Sequence, residues 1–273
     1  MSKRGADMNK PSLLADLTLI QISDTHLMAD AASNFVKMNP EQSFLSVLAD
    51  IQQHYPHADA LLHTGDLAQE ACSATYQRYL QQIQALNMPY FQVPGNHDDV
   101  ACFPFYQQHN AAHAIDLGTW SLVLLNSAVT GQVDGWVDEA QLQQLEQILA
   151  ARPQQYIVIA CHHHPFAMQS HWIDQHKLKN SEALTDVLGR HQNVKLVLFG
   201  HVHQESCNTW QQISFLSTPS TCVQFKPKST DFALGHEAPG YRVLQLKSNG
   251  SFSTQVHRLT HLQQNINVEI SGY

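Results

Sequence analysis

Charged residues are scarce in this sequence, where they make up 14% of 273 residues. Positive charge is the rarer sign, with 15 Lys and Arg against 23 Asp and Glu, so the formal net charge is −8. A protein that binds a nucleic-acid backbone needs a basic face, so nucleic acid is excluded as the main partner. An anionic substrate would have to be neutralised by bound metal cations rather than by a field of Lys and Arg.

Long apolar runs and paired cysteines are also absent. No segment approaches the roughly 20 apolar residues that span a bilayer, and the apolar stretch from Leu13 to Ile20 is interrupted by Asp16. The five cysteines are scattered and form no C-x-x-C pair, which is typical of reduced intracellular thiols. We therefore expect a cytoplasmic protein that does not enter a membrane. The sequence leaves open whether it is a monomer or a homodimer.

What the sequence does contain is an alternation of strands and helices. Residues 1–15 are polar and mixed, which predicts a flexible N-terminal arm before a single domain at 16–273. Apolar periodicity predicts helices at 41–55, 73–87 and 181–188, a helix capped by Asp138 that runs to Ala151, and strands at 17–22, 60–63, 90–93, 120–125, 156–160, 194–199, 213–216, 241–246 and 252–256. The alternation indicates an α/β fold, and the strand-rich end of the chain predicts a second, partly antiparallel sheet.

Histidine is unusually frequent, with 18 residues. Five short segments each follow a predicted strand and carry metal-binding side chains: Asp24-Thr25-His26, Gly65-Asp66, Gly95-Asn96-His97-Asp98, His162-His163-His164-Pro165 and Gly200-His201-Val202-His203. One such segment recurs by chance in chains of this size, but all five in this order are much rarer. Because open α/β sheets bind ligands at the carboxyl ends of their strands, we expect the five segments to form one site.

The mixture of Asp, Asn and His side chains suits a centre with two divalent metal ions. Such a pair lowers the pKa of a shared water towards about 7 and clamps the oxygens of a phosphate ester. Mixed oxygen and nitrogen ligands favour Fe or Mn, with Zn possible, whereas Mg and Ca prefer oxygen alone. We therefore expect a phosphoesterase with two bound metals. The sequence has no P-loop, no G-x-S-x-G turn and no H-E-x-x-H motif, which excludes those other enzyme classes.

The five segments, in this order, resemble the calcineurin-like metallophosphoesterases over about residues 17–260. The likeness is closer still to the bacterial class III 3′,5′-cyclic-AMP phosphodiesterases, and it lies in residues 21–27 (QISDTHL), 64–69 (TGDLAQ), 94–98 (PGNHD) and 218–227 (TPSTCVQFKP). This resemblance implies a four-layer α/β/β/α sandwich, in which two mixed sheets lie face to face with helices outside.

The resemblance also implies a role for each metal-binding side chain. The implied ligands are Asp24, His26 and His203 for the first metal, Asn96, His162 and His201 for the second, and Asp66 as the bridge between them. The choice within the triple histidine stays open, because His162 follows the strand directly whereas counting back from Pro165 favours His163. His164 is assigned to a supporting role.

His97 would not bind metal in a protein of this family. It would lie beside the scissile phosphate and stabilise or protonate the leaving oxygen, a role that suits a titratable imidazole. Asp98 would either orient His97 or simply end the turn. The residues expected to contact the substrate are His26, Asp66, Asn96, His97 and His203.

The reaction implied by the resemblance is hydrolysis of 3′,5′-cyclic AMP to 5′-AMP, in which a hydroxide held between the metals attacks phosphorus. The alternative is a broader phosphodiesterase that acts on 2′,3′-cyclic nucleotides or glycerophosphodiesters, because metal ligands contact only the phosphate. A scaffold protein that has lost the chemistry is disfavoured, since such relatives usually have broken ligand positions.

No motif marks the residues that would bind a nucleobase. Phe225 and Lys226 are candidates, together with Tyr241-Arg242, because an adenine needs an aromatic or apolar face and this part of the chain could fold back over the metals. Packing in the core explains these residues equally well. Among the tryptophans, Trp172 is the one that we would test as a wall of the pocket.

Overall fold

The computed structural model describes residues 15–103, 111–262, 266–267 and 269–272. The predicted arm at 1–15 lies outside the described residues, apart from Ala15. Within the described part of the chain, no helix is long and apolar enough to cross a membrane.

Eleven strands and five helices form within the described residues. The strands are β1 (Leu17–Ile22), β2 (Ala60–His63), β3 (Tyr90–Gln92), β4 (His113–Leu117), β5 (Trp120–Leu124), β6 (Tyr156–Ala160), β7 (Val194–Phe199), β8 (Ser206–Trp210), β9 (Ile213–Ser217), β10 (Gly240–Leu246) and β11 (Phe252–Arg258). The helices are α1 (Pro40–His54), α2 (Ser73–Gln84), α3 (Glu139–Ala150), α4 (His171–Asp174) and α5 (Ser181–Leu188).

Every predicted strand and helix forms, with ends shifted by up to three residues. The predicted cap is present, since the Asp138 side chain accepts a hydrogen bond from Gln141 N. The sequence analysis missed β4, β8 and α4. Both strands lie at sheet edges and are largely half-exposed, so they lack an apolar run, and α4 has only four residues, too few to show a helical period.

The strands form two mixed sheets. The first has the order β11-β10-β1-β2-β3, in which β1, β2 and β3 are parallel and β10 and β11 are antiparallel additions. The second has the order β4-β5-β6-β7-β9-β8, in which the central four strands are parallel and each edge strand is antiparallel to its neighbour.

The strand-rich end of the chain divides between these two sheets. Strands β8 and β9 extend the second sheet, whereas β10 and β11 complete the first. The prediction that this end of the chain forms the second sheet is therefore wrong in part. The reason is that β10 pairs with β1, from the opposite end of the chain, and local sequence patterns do not report such a pairing.

The two sheets lie face to face, and helices cover their outer faces. Alternate side chains of the strands point to opposite faces, so the inner residues Leu19, Leu62, Leu122, Val158 and Leu196 form one core between the sheets. On the outer face of the first sheet, Ile20 and Ile22 share a core with residues of α1 and α2. On the outer face of the second sheet, residues of β6 and β7 share a core with α3 and α5. This arrangement confirms the predicted four-layer α/β/β/α sandwich.

Candidate metal centre

The metal-binding segments meet where parallel strands of both sheets end. Asp24, Asp66 and Asn96 follow β1, β2 and β3 of the first sheet, whereas His162 and His201 follow β6 and β7 of the second. Backbone hydrogen bonds join the loops to one another. For example, Gly200 N, after β7, donates to the carbonyl of His162, after β6, at 3.0 Å. The seven predicted ligands are brought together here, and we call them the metal floor: Asp24, His26, Asp66, Asn96, His162, His201 and His203.

The backbone of the metal floor is held in an uncommon conformation. Five of its residues have a positive φ: Asp24 at 55°, His26 at 49°, Asp66 at 54°, His201 at 68° and His203 at 45°. A residue with a β-carbon adopts this left-handed region at an energetic cost and persists there only where its surroundings fix it. Such residues cluster at functional sites, and here the left-handed turns re-aim side chains from strand ends into one centre.

Three side chains form the first half of the metal floor. His26 Nδ1 lies 2.8 Å from Gln69 Oε1, and His203 Nδ1 lies 2.7 Å from the carbonyl of Val223, so each ring donates its Nδ1 proton outward. The two Nε2 atoms then face each other at 3.1 Å, and Asp24 Oδ1 lies 3.3 Å from His203 Nε2. Two nitrogen lone pairs and a carboxylate around one point fit a divalent cation, and the outward hydrogen bonds are those that usually orient histidine ligands.

His162 anchors the second half of the metal floor. Its Nδ1 lies 2.7 Å from the carbonyl of Thr64, and its Nε2 lies 3.2 Å from both Asn96 Oδ1 and Asp66 Oδ2. Burial alone would lower the pKa of His162, but the neighbouring Asp66 carboxylate outweighs it and raises the pKa to about 9. A metal bound between these atoms would take the place of the proton on Nε2, since a histidine ligand must give up that proton.

Asp66 belongs to both halves. Its Oδ2 lies 3.8 Å from His26 Nε2 and 3.2 Å from His162 Nε2, while its Oδ1 accepts a hydrogen bond from the backbone of His97 at 2.8 Å. Burial disfavours the ionised carboxylate, yet the positive His162 and the other nearby imidazoles hold the pKa of Asp66 well below its usual value. A charged carboxylate that contacts both groups of ligands has the geometry of a bridging ligand.

His201 completes the second half from the other sheet. One of its ring nitrogens lies within 4.8 Å of the ligand atoms of His162 and His163. Its backbone N–H donates to both carboxylate oxygens of Asp24, at 3.1 and 3.2 Å, which links the two halves. Burial, together with the neighbouring histidines, holds the pKa of His201 well below its usual value, so its ring is neutral and able to bind a metal.

The other two members of the triple histidine are engaged elsewhere. His163 Nδ1 lies 2.8 Å from Ser127 Oγ, and its Nε2 lies 3.0 Å from the carbonyl of Val133. A neutral imidazole has one donor and one acceptor, so Nε2–H donates to the carbonyl and Nδ1 accepts from the hydroxyl. His163 would have to give up one of these bonds to bind a metal, which favours His162. His164 Nε2 lies 3.5 Å from Asp174 Oδ1, so this loop contacts α4 there.

His97 lies at the open side of the metal floor. Its ring is half-buried and meets the ring of His26 edge-on, with centroids 5.0 Å apart. A ring nitrogen of His97 also lies within 4.8 Å of ligand atoms of His26 and Asp66, so the side chain is near enough to act on a phosphate bound there.

Asp98 closes the turn at residues 95–98, as one of the two predictions expected, and it also links two loops. Its carboxylate accepts hydrogen bonds from the backbone N–H groups of Leu67, Ala68 and Gly95 and from the hydroxyl of Tyr76. Burial, with the charge of the nearby Asp66, raises the pKa of Asp98 to about 7. The side chain therefore ties the loop that carries Asp66 to the loop that carries Asn96.

The sequence analysis also missed the groups that orient the histidines proposed as ligands. These are the side chain of Gln69 and the carbonyls of Thr64 and Val223. Gln69 stands three residues after Asp66 in the stretch that carries the resemblance, which is a usable signal. A backbone carbonyl carries no sequence signal at all, since every residue has one.

A cavity of about 690 Å³ opens above the metal floor. Five of the seven floor residues and His97 line its base, and its side is lined by Trp172, Phe225 and Phe232, which we call the aromatic wall. The sequence analysis named Trp172 and Phe225 for such a role. It was wrong about Tyr241, whose hydroxyl donates to Asp50, and about Arg242, which is buried and donates to the carbonyl of Ser217.

Comparisons with known proteins agree with this geometry. Among curated proteins, the chain is 38% identical over 261 residues to the 3′,5′-cyclic adenosine monophosphate phosphodiesterase CpdA of Haemophilus influenzae, covering 94% of this chain and 95% of the relative. It is 40% identical over 247 residues to the protein of the same name from Vibrio vulnificus, covering 89% and 90%. A 3′,5′-cyclic-nucleotide phosphodiesterase of Nostoc sp. is 34% identical over 248 residues and covers 90% and 93%.

Solved structures share the fold at low sequence identity. A dimetal phosphatase from Danio rerio matches with a TM-score of 0.58 and 16% identity, covering 87% of this chain and 98% of that one. A purple acid phosphatase from yellow lupin matches with a TM-score of 0.62 and 15% identity, covering 89% of this chain and 54% of that one.

The family model described as calcineurin-like phosphoesterase matches residues 17–205. This chain therefore belongs to the calcineurin-like phosphoesterase family.

Proposed function

We propose that this protein hydrolyses 3′,5′-cyclic AMP to 5′-AMP with two divalent metal ions bound at the metal floor. The observation that carries the proposal is the pairing of two ligand groups around the shared carboxylate of Asp66. Asp24, His26 and His203 would hold one metal, and Asn96, His162 and His201 would hold the other. The mixed oxygen and nitrogen donors suit Fe or Mn, and Zn is also compatible with them.

The chemistry follows from what the metals supply and what the side chains do. Two bound divalent metals activate water as a nucleophile and neutralise the phosphate oxygens. In the overall reaction a water oxygen bonds to phosphorus, the bond from phosphorus to O3′ breaks, and O3′ gains a proton. His97 lines the cavity beside Asp66 and Asn96, so its imidazole can give that proton to the leaving oxygen.

The choice of substrate rests on the relatives and on the cavity. The proteins from Haemophilus influenzae and Vibrio vulnificus are both named as cyclic AMP phosphodiesterases, and each is matched over nearly its whole length. The cavity of about 690 Å³ lies within the roughly 300–1,000 Å³ that is usual for small-molecule sites. We place the protein in the cytoplasm, because all five cysteines are free thiols and disulfides persist mainly in oxidising compartments.

The test is turnover of 3′,5′-cyclic AMP beside 2′,3′-cyclic AMP and bis-p-nitrophenyl phosphate, with protein stripped of metal and then reloaded with Mn or Fe. We expect release of 5′-AMP from 3′,5′-cyclic AMP only after reloading. Cleavage of the aryl diester alone would mean that the metal centre is correct and the substrate is wrong. Cleavage of 2′,3′-cyclic AMP at a similar rate would favour the broader phosphodiesterase.

A further inference from the structure

The cavity has an aromatic corner beyond the metal floor that the hydrolysis of a phosphodiester does not itself require. We propose that the rings of Trp172 and Phe232 form the site for the nucleobase of the substrate. This inference rests on the proposed function, because it assumes that the phosphate of a nucleotide binds at the metal floor. It assigns to these two side chains the selection of nucleotides over other phosphate esters.

The aromatic wall is one connected set of rings that starts at the metal floor. Phe225 stacks on His203 with centroids 3.9 Å apart and planes 6° apart. Trp172 meets Phe225 edge-on at 4.8 Å and Phe232 edge-on at 4.9 Å. All three rings line the cavity, but Phe225 is buried whereas Trp172 and Phe232 are half-buried. The first ring is therefore a spacer, and the other two offer surface to a ligand.

This spacing matches the shape of a nucleotide. Trp172 and Phe232 lie two ring contacts away from His203, so a molecule held by its phosphate at the metals would reach the corner with its far end. In a nucleotide that far end is a flat aromatic base, which gains from stacking on an aromatic side chain. Exposed polar side chains of Gln175, Thr230 and Asp231 also line the cavity and can hydrogen-bond to the edge of a base.

The helix that carries Trp172 is fixed relative to the metal floor. Its residue Asp174 accepts a hydrogen bond from the backbone of Met168 at 2.6 Å and contacts His164, which follows the proposed ligand His162 by two positions. The backbone of Leu178 donates to the carbonyl of His164 at 3.0 Å. These contacts place the ring of Trp172 before a ligand arrives, and a preformed stacking surface binds without an ordering cost.

The segment that carries Phe225 and Phe232 is a short hairpin over residues 224–235. Phe225 pairs with Leu234 in an isolated bridge, and Gly235 N donates to the carbonyl of Gln224 at 2.9 Å. The backbone N–H of Ser229, in the hairpin, donates to Ser170 Oγ at 3.2 Å, just before α4. The two halves of the base site are thus joined to each other as well as to the metal floor.

The test compares binding of two ligands that share a sugar phosphate and differ in the base: 5′-AMP and ribose 5-phosphate. Calorimetry on metal-loaded protein should show that Trp172→Ala weakens binding of 5′-AMP by about tenfold or more, which is within the range for loss of a stacked base, and leaves ribose 5-phosphate unchanged. Trp172→Phe should restore most of the affinity because it keeps an aromatic face, and Trp172→Leu should not. Phe232→Ala should act in the same direction as Trp172→Ala.

Trp136→Ala is the matched control, because Trp136 is 50% exposed and lines a different cavity. It should leave binding of both ligands unchanged. Equal weakening of both ligands by Trp172→Ala, or no weakening of either, would overturn the base site. Turnover of 3′,5′-cyclic AMP by the wild-type protein is measured in the same preparation. If that turnover is absent while the aryl diester is cleaved, the proposed function fails, whatever the binding data show.

Discussion

The metal floor and the aromatic wall face the same cavity but are built in opposite ways. The metal floor lies at strand ends, its ligand histidines are almost fully buried, and five of its residues have left-handed backbone. The aromatic wall lies on a four-residue helix and a hairpin, and two of its three rings are half-buried. On our proposals, the strand ends hold the groups that must keep one geometry, whereas the short helix and the hairpin hold the groups that select the substrate.

The two proposals together separate the reaction from the choice of substrate. A change in the metal floor should affect every phosphodiester, because the proposed metals and their ligands would contact only the phosphate. A change in the aromatic wall should affect only substrates that carry a base. The substitutions of Asp66, Gln69 and Ser170 test whether the two regions are independent, and the substitution of His63 tests what lies beneath the metal floor.

The largest effect is expected for Asp66→Asn, which keeps the shape of the shared ligand and removes its charge. Loss of a side chain that merely orients a metal ligand already costs about 10–100-fold in activity or metal affinity. Loss of the bridging carboxylate should therefore lower kcat by more than about 100-fold for both 3′,5′-cyclic AMP and bis-p-nitrophenyl phosphate. Asp186→Asn, on the exposed face of α5, should leave both rates unchanged. Retained turnover of either substrate would remove Asp66 from its bridging role.

A smaller effect on both substrates is expected for Gln69→Leu. Gln69 Oε1 accepts the Nδ1 proton of His26 at 2.8 Å, and without that bond the ring is free to turn away from the metal. We expect metal affinity or kcat/KM to fall by about 10–100-fold, equally for the two diesters. Gln69→Glu keeps the acceptor and should retain most of the activity. A fall confined to 3′,5′-cyclic AMP would mean that Gln69 serves the substrate rather than the metal floor.

The sequence alone predicts that the seven side chains of the metal floor meet, for a physical reason. Its residues are polar side chains directly after apolar strands, and parallel strands bring their ends to one edge. The structure favours His162 over His163 as the candidate ligand, and the sequence could not supply that preference because both residues follow β6 closely. Only the contacts of the two rings separate them, since His163 is engaged by Ser127 and by a carbonyl.

The aromatic wall was only partly predictable. Trp172 lies in a helix too short to show a period, and Phe225 reaches Phe232 only because a hairpin folds between them. A hairpin without a regular strand on either side has no alternating pattern that the sequence could reveal. The edge strands β4 and β8 were not predicted for a related reason. Both are largely half-exposed, so neither has the apolar run that indicates a strand.

His63 is a buried histidine that lies beneath the metal floor. Its Nδ1 accepts from Gly65 N at 3.2 Å, and its Nε2 lies 3.3 Å from Thr25 Oγ1. Burial lowers the pKa of His63 to about 3. The unfolded chain takes up a proton near pH 6.5 whereas the folded protein does not, so His63 makes the protein less stable as pH falls from about 6.5 towards 3.

His63→Gln should therefore reduce the dependence of stability on pH. Between pH 6.5 and 5 its free energy of unfolding should fall less steeply than that of the wild type, by up to about 1.4 kcal/mol per pH unit. Denaturant unfolding at several pH values measures this slope, and His57→Gln, on the surface, is the matched control. If the free energy of unfolding had the same pH slope in the wild type and in His63→Gln, His63 would be protonated in the folded protein. A charged group would then lie beneath the metal floor.

The smallest effect is expected for Ser170→Ala, which removes one hydrogen bond between the two parts of the aromatic wall. Ser170 Oγ accepts the backbone N–H of Ser229 at 3.2 Å, and such a bond contributes about 0.5–1.5 kcal/mol. The KM for 3′,5′-cyclic AMP should rise by about two- to tenfold with kcat unchanged, because the hairpin holds Phe232 and not a metal ligand. Ser46→Ala, which removes a hydroxyl bond within α1, should change neither constant. A fall in kcat with KM unchanged would instead mean that the hairpin acts on the metal floor through the stack of Phe225 on His203, and the two regions would then work as one.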